Sequence, residues 1–261
     1  MKLDFAKNEI IKLYEDRVST TKIGDLYGVS DVTVASLLKR NGITVTKKRC
    51  RTPINSNYFK VVDTANKSYF LGLIAADGSI FKTSKGKMVF SLQLQEKDKD
   101  ILDSLSIELS GSVSMVRNDS RTDPAKQKMF TIRFSDEIFI ENLMDLGILP
   151  RKTENLDWIN LPENLIRDFI RGYFDGDGSV YISNNNVYGN FVGNKIFIPK
   201  LRDYLFEKSI LPTRYAIIDR GNFCSFHFGS KEGNLSLYNY MYYDECLCLE
   251  RKKVKFEFCP L

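Results

Sequence analysis

The sequence predicts an α+β protein in which a small all-α unit precedes two copies of one mixed helix-and-strand unit. Three observations predict it. The N-terminal stretch is basic and patterned for short helices. Two apolar, helix-like segments ending in Asp-Gly-Ser stand 100 positions apart. Each is followed by alternating stretches suited to half-buried antiparallel strands.

The 261 residues can form one large domain or two to three small ones, and 43% hydrophobic with 27% charged residues is the balance of a globular protein. No apolar run approaches the roughly 20 residues needed to cross a bilayer. Asp4 and Glu9 interrupt the stretch where a signal peptide needs an apolar core, so the expectation is an intracellular protein (cytoplasm, nucleoid or organelle), neither secreted nor bound to a membrane. Five cysteines without CxxC spacing indicate neither a disulfide framework nor a zinc ribbon. His227 is the single histidine, which excludes zinc fingers and His-rich nuclease sites. Any metal chemistry therefore rests on carboxylates, which suit Mg²⁺ or Ca²⁺.

Charge divides the chain. Residues 1–58 hold 11 Lys/Arg against 6 Asp/Glu, while the remainder is neutral. Helices are predicted over 8–18, from Ser19/Thr20 to Tyr27, and from about Asp31 to Arg40, with Ser30 as N-cap and Asn41-Gly42 as the close. Gly24, Gly28, Ile23, Val29, Val34 and Leu37 fall where two helices crossing sharply need small and apolar residues. Residues 1–45 thus look like a helix-turn-helix of the kind found in resolvases and homeodomain-like regulators. In that reading the third helix enters the major groove with Thr33, Ser36, Lys39 and Arg40. A three-helix bundle for protein contact is the alternative. Residues 46–58 read as a basic linker, in which Lys47, Lys48 and Arg49 either attract phosphates or form a solvated tether.

The repeat defines the body as 59–155 and 156–261. FLGLIAADGSI at 70–80 and IRGYFDGDGSV at 170–180 align Gly72 with Gly172, Asp77 with Asp177, Gly78 with Gly178 and Ser79 with Ser179. Arg151-Lys152 and Arg251-Lys252 keep the same offset. Gly72/Ala76 and Gly172/Gly176 lie four apart, on one stripe of each helix. If the stripes face each other, the backbones approach closely and Asp77 and Asp177 lie side by side. An aspartate at a helix C-terminus is disfavoured, and two adjacent ones repel, a conflict that a divalent cation resolves. In the second copy Pro162 suits the first helical turn. DGDGSV is not an EF-hand loop, because its sixth and twelfth positions are Val180 and Asn186.

These segments resemble the two signature helices of LAGLIDADG homing endonucleases, in the single-chain, two-motif form, over nearly all of 59–258. The resemblance implies two pseudo-symmetric αββαββα halves whose antiparallel sheets form a DNA-binding saddle. It implies that Asp77 and Asp177 bind two or three catalytic divalent ions, with the backbone of Ala76 and Gly176 as further ligands. It implies Mg²⁺ for cleavage and Ca²⁺ for binding without cleavage. Lys152 and Lys252 map to the basic residue near each scissile phosphate, and a less regular polar position falls near Gln93 to Glu96. Ala75 stands where the second motif has Asp175, so Asp175 takes no firm catalytic role.

On the strands, Phe90, Leu92 and Leu94 oppose Ser91, Gln93 and Gln95, and Phe130, Ile132 and Phe134 oppose Met129, Thr131 and Arg133. Cys224, Phe226 and Phe228 oppose Phe223, Ser225 and His227, so that Arg133 matches His227. By the resemblance, Gln93, Gln95, Thr131, Arg133, Ser225 and His227, with Arg117 and Arg220, face DNA. An ordinary solvent face is the alternative for each.

The function expected is a sequence-specific, Mg²⁺-dependent double-strand DNA endonuclease acting as a monomer, without an obligate protein partner, on a long, imperfectly palindromic site. The competing expectation is a non-cleaving transcription regulator or an RNA maturase on the same fold.

Overall fold

The computed structural model describes residues 6–16, 18–45, 53–118 and 128–258. The chain divides into two compact units, Met1–Pro53 and Ile54–Leu261. Lys47, Lys48 and Arg49 lie outside the described residues.

The first unit contains α1 (Lys7–Glu15), α2 (Thr20–Tyr27) and α3 (Asp31–Arg40). Ser19 and Ser30 cap the second and third helices, each accepting a backbone N–H at 3.2 Å, from Lys22 and Thr33. Gly28, at φ +66°, ends α2 in the left-handed region that a side chain rarely adopts. Gly24 is required by proximity: a Cβ there would run into the carbonyl of Val29. Ile10, Ile23, Val34, Leu37 and Leu38 form the core of this unit.

The second unit repeats one order of elements. Its first half runs α4 (Ala65–Asp77), β1 (Ser79–Lys82), β2 (Met88–Gln95), α5 (Lys99–Ser110), β3 (Val116–Asn118), β4 (Met129–Phe134) and α6 (Glu137–Asp145). The four-residue α7 (Lys152–Asn155) follows. The second half runs α8 (Glu163–Asp177), β5 (Ser179–Ser183), β6 (Asn186–Gly193), α9 (Phe197–Glu207), β7 (Ile218–Asp219), β8 (Cys224–Phe228), α10 (Lys231–Met241) and α11 (Glu250–Glu257). Each half builds a four-stranded antiparallel sheet, in the orders β1-β2-β4-β3 and β5-β6-β8-β7. The expected duplicated α+β architecture is the one observed.

The two motif helices form the seam. In α4 every residue from Ser68 to Ala76 is buried, the pattern of a helix enclosed on all sides. A Cβ on Gly72 would collide with the carbonyl of Phe169, and one on Gly172 with the carbonyl of Tyr69. This reciprocity is what a near two-fold pair of close helices produces, as the spacing of small residues predicted. Pro162 sits at the N-cap, one position ahead of the first helical turn, where its fixed φ still suits the entry.

The Asp-Gly steps are not turns. Gly78 and Gly178 are extended, at φ −69° and −81°, and feed directly into β1 and β5. They are glycines because a Cβ would strike the carbonyls of Ile74 and Phe174, which accept their N–H groups at 2.9 Å.

Candidate functional site

Asp77 and Asp177 end the paired helices, and both reach solvent. The tips are close: a Cβ on Gly176 would strike that of Ala76 and stand 3.2 Å from Asp77 Oδ2. Although exposed, the two carboxyls are hemmed by protein that strips part of their hydration. Burial, then the charge of Asp177, pushes Asp77 up to about 6, against the pull of Lys152 and Lys252. Asp177 is likewise raised by burial, opposed by the two lysines and by a hydrogen bond from Tyr173.

The lysines stand behind this pair. Lys152 Nζ donates to the carbonyl of Ala75 at 2.8 Å and to that of Ala76. Lys252 Nζ donates to Phe174 and Asp175 at 2.7 Å each and to Gly178 at 2.5 Å. Each ammonium thus adds a charged donor to carbonyls at the end of a motif helix, and it offsets the negative end of the helix dipole. Both side chains are buried, and burial brings Lys252 down to about 8 and lowers Lys152. The carbonyl of Ala76, a candidate metal ligand, is therefore already engaged by Lys152.

Asp175 is 1% exposed and points into the fold. Its Oδ2 accepts the Tyr69 hydroxyl at 2.9 Å and the Leu249 N–H at 2.7 Å, while Oδ1 has no partner. Burial raises it to about 6. Arg171, also buried, donates through Nε to Leu247 O and through Nη1 to Met241 O at 2.7 Å each, and pairs with Asp168 at 2.8 Å. Together these groups hold the segment between α10 and α11, and so place Lys252. Sequence reasoning missed this scaffold. Its available signals were a charge, Arg171, inside an apolar helix and the Asp175/Ala75 mismatch.

The strand registers agree with the expected faces. Ser79, Ser91 and Arg133 lie in one cross-strand row of the first sheet, and Ser179, Asn190 and His227 in the matching row of the second. Arg133 and His227 are therefore equivalent, and both are exposed; Gln93 and Arg117 are also exposed on the outer face of the first sheet. Thr131 and Ser225 share that face but are buried between longer row neighbours, and Thr131 Oγ1 donates to Leu92 O at 3.2 Å. Gln95 is half-buried, and Arg220 stands in the turn beyond β7 rather than on a strand. Asn190, which sequence reasoning passed over, accepts Ser179 Oγ at 3.0 Å two residues past Asp177.

On α3, Thr33, Ser36, Lys39 and Arg40 are all exposed. The Thr33 hydroxyl is bonded to that of Ser30 at 2.9 Å, and Arg40 Nε donates to Ser36 O at 3.3 Å.

Among the described residues no group of three or more His, Cys, Asp or Glu is placed to hold a metal ion. Asp77 and Asp177 offer two carboxylates, hard oxygen donors of a kind that fits Mg²⁺ or Ca²⁺. Among the described residues no helix is long and apolar enough to cross a membrane.

Residues 164–195 match the LAGLIDADG-like domain. No curated protein matches in sequence. A mutant of I-SmaMI superposes with a TM-score of 0.52 at 14% identity, over 74% of this chain and 89% of that one. The LAGLIDADG meganuclease I-CpaMI bound to uncleaved DNA superposes with a TM-score of 0.50 at 11% identity, over 75% of this chain and 89% of that one. Residues 164–195 thus resemble the LAGLIDADG-like domain, and about three quarters of the chain shares the fold of I-SmaMI and of the LAGLIDADG meganuclease I-CpaMI.

Proposed function

We propose that this protein is a homing-type endonuclease that cuts both strands of a specific DNA site with the aid of Mg²⁺. The observation that carries the reading is the solvent-facing pair Asp77 and Asp177, held together at the seam at an electrostatic cost. A bound divalent ion would polarise the phosphate and supply an activated water. Asp77 and Asp177 would hold it, and their raised proton affinity is the strain its charge would relieve. Lys152 and Lys252 fix the helix ends that aim the carboxylates, and they add positive potential where the scissile phosphates would lie.

The exposed faces of the two sheets would meet the major groove on either side of the cut, through Gln93, Arg117, Arg133 and His227. The N-terminal unit would extend the site, with α3 in an adjacent groove and the basic residues Lys47, Lys48 and Arg49 on phosphates. With both halves in one chain, a monomer suffices.

Cleavage of a randomised duplex library tests the reading. Cuts at one enriched site in Mg²⁺, binding without cuts in Ca²⁺, and loss of cutting in Asp77→Asn and Asp177→Asn are expected. Enrichment without cutting, unchanged by either substitution, would instead leave a DNA-binding regulator, and binding only to structured RNA would point to a maturase.

A further inference from the structure

The outer faces of the two sheets share a register but not a chemistry. One row of the first sheet is Gln93, Thr131 and Arg117, and the matching row of the second is Val192, Ser225 and Ile218. In the next row Arg133 is matched by His227. Beyond it, Phe81 and Val89 are matched by Tyr181 and Tyr188, whose rings stack 5.7 Å apart. The Arg133 guanidinium lies 5.7 Å above the Phe81 ring, which holds it on the open face. Within these rows the first sheet offers two exposed guanidinium groups. The second offers none, presenting Ile218 at 37% exposure and Tyr181 at 48%. Arg220 lies past the end of β7, outside the rows.

Guanidinium groups match the paired O6 and N7 acceptors of guanine, whereas aliphatic and aromatic edges match the 5-methyl of thymine. An isoleucine facing guanine would leave both acceptors desolvated and unpaired, so the second face also rejects guanine. Resting on the reading of these faces as the DNA interface, we propose that the target is chemically divided. The first sheet selects guanine through Arg117 and Arg133, and the second selects thymine through methyl contacts with Val192, Ile218 and Tyr181.

The test uses the full chain and duplexes selected for binding in Ca²⁺. In each half-site in turn, guanine is replaced by 7-deazaguanine, which lacks the N7 acceptor, and thymine by uracil, which lacks the methyl. The first swap should weaken binding roughly tenfold per contacted base, in one half-site only. The second should weaken it about fourfold per methyl, in the other only. Arg117→Ala and Arg133→Ala should erase the sensitivity to 7-deazaguanine, and Ile218→Ala the sensitivity to uracil. The analogue comparison is made on unaltered protein, so it stands even where a variant folds poorly. Half-sites that respond alike to both swaps, or sensitivities assigned to the opposite sheets, overturn the proposal and leave the endonuclease reading intact. Failure to select any duplex removes that reading, and this inference with it.

Discussion

Arg251 and Asp98 form a two-bond ion pair, Nε to Oδ1 at 2.8 Å and Nη2 to Oδ2 at 2.9 Å, that moors α11 of the second half to the start of α5 in the first. Asp98 is only 5% exposed, so the pair is partly withdrawn from water and its fork geometry holds α11 firmly. Arg251→Ala and Asp98→Asn should each destabilise by about 1–2 kcal/mol in denaturant titrations. The double variant should lose about 1 kcal/mol less than the two losses combined. A coupling near zero would show that solvent screens the pair.

Asp77 ties stability to pH. Its folded-state value of about 6 lies above the usual carboxylate range, so ionisation opposes folding. That opposition is absent below the unfolded value and complete once pH has passed the folded one. Metal-free Asp77→Asn should therefore melt above the parent protein at pH 7 and level with it near pH 4. After discounting for solvent screening, the gain at pH 7 is about 1 kcal/mol. Adding Ca²⁺ should raise the melting temperature of the parent and leave that of the variant nearly unmoved.

Lys252 holds three carbonyls, so Lys252→Met leaves them without their cation. A loss of roughly 2–3 kcal/mol is expected, with nicked DNA accumulating as one half fails. In the parent protein, burial has brought this amine to about 8, so its charge disappears as pH rises through that value. Cleavage should fall off above about pH 8, and a flat rate to pH 10 would remove Lys252 from the chemistry.

Gly72→Ala and Gly172→Ala each place a methyl against the facing helix's backbone, which has no rotamer to escape into. Each should cost at least about 3 kcal/mol, more than the usual overpacking penalty at a flexible contact. Circular dichroism melts would measure it, and an unchanged melting temperature would mean that the helices do not pack this closely.

Deleting residues 1–53 removes the N-terminal unit and the basic stretch that ends it. Binding should weaken and the dependence of log affinity on log salt should flatten by about 3, while single-turnover cleavage at saturating protein persists. An unchanged salt slope would place that unit away from DNA.

What the sequence made legible was whatever repeats or alternates. The 100-residue offset located both acids, both lysines and the glycine seam, and matching the last aromatics aligned Arg133 with His227 as the strand registers have it. The contacts that set the lysines were not legible. Lys252 reaches back 74 to 78 positions to the motif helix, and Asp175 finds Leu249 across a similar span. Periodicity carries no information about such pairings. It also assigns a face without assigning depth, which is why Thr131 and Ser225 fall on the expected side yet are buried.

The reciprocal seating of Gly72 and Gly172 frees the two halves from each other. A surface that fits its own copy is the contact of a homodimer, and in this chain covalent linkage supplies the second copy at high effective concentration. Freed from having to serve both sides of a symmetric assembly, each half can vary independently. Arg117 on one sheet and Ile218 on the other, at a single equivalent position, are the kind of difference that a single chain permits and a dimer of identical subunits forbids. Two separately produced halves should therefore be able to reassemble across the glycines.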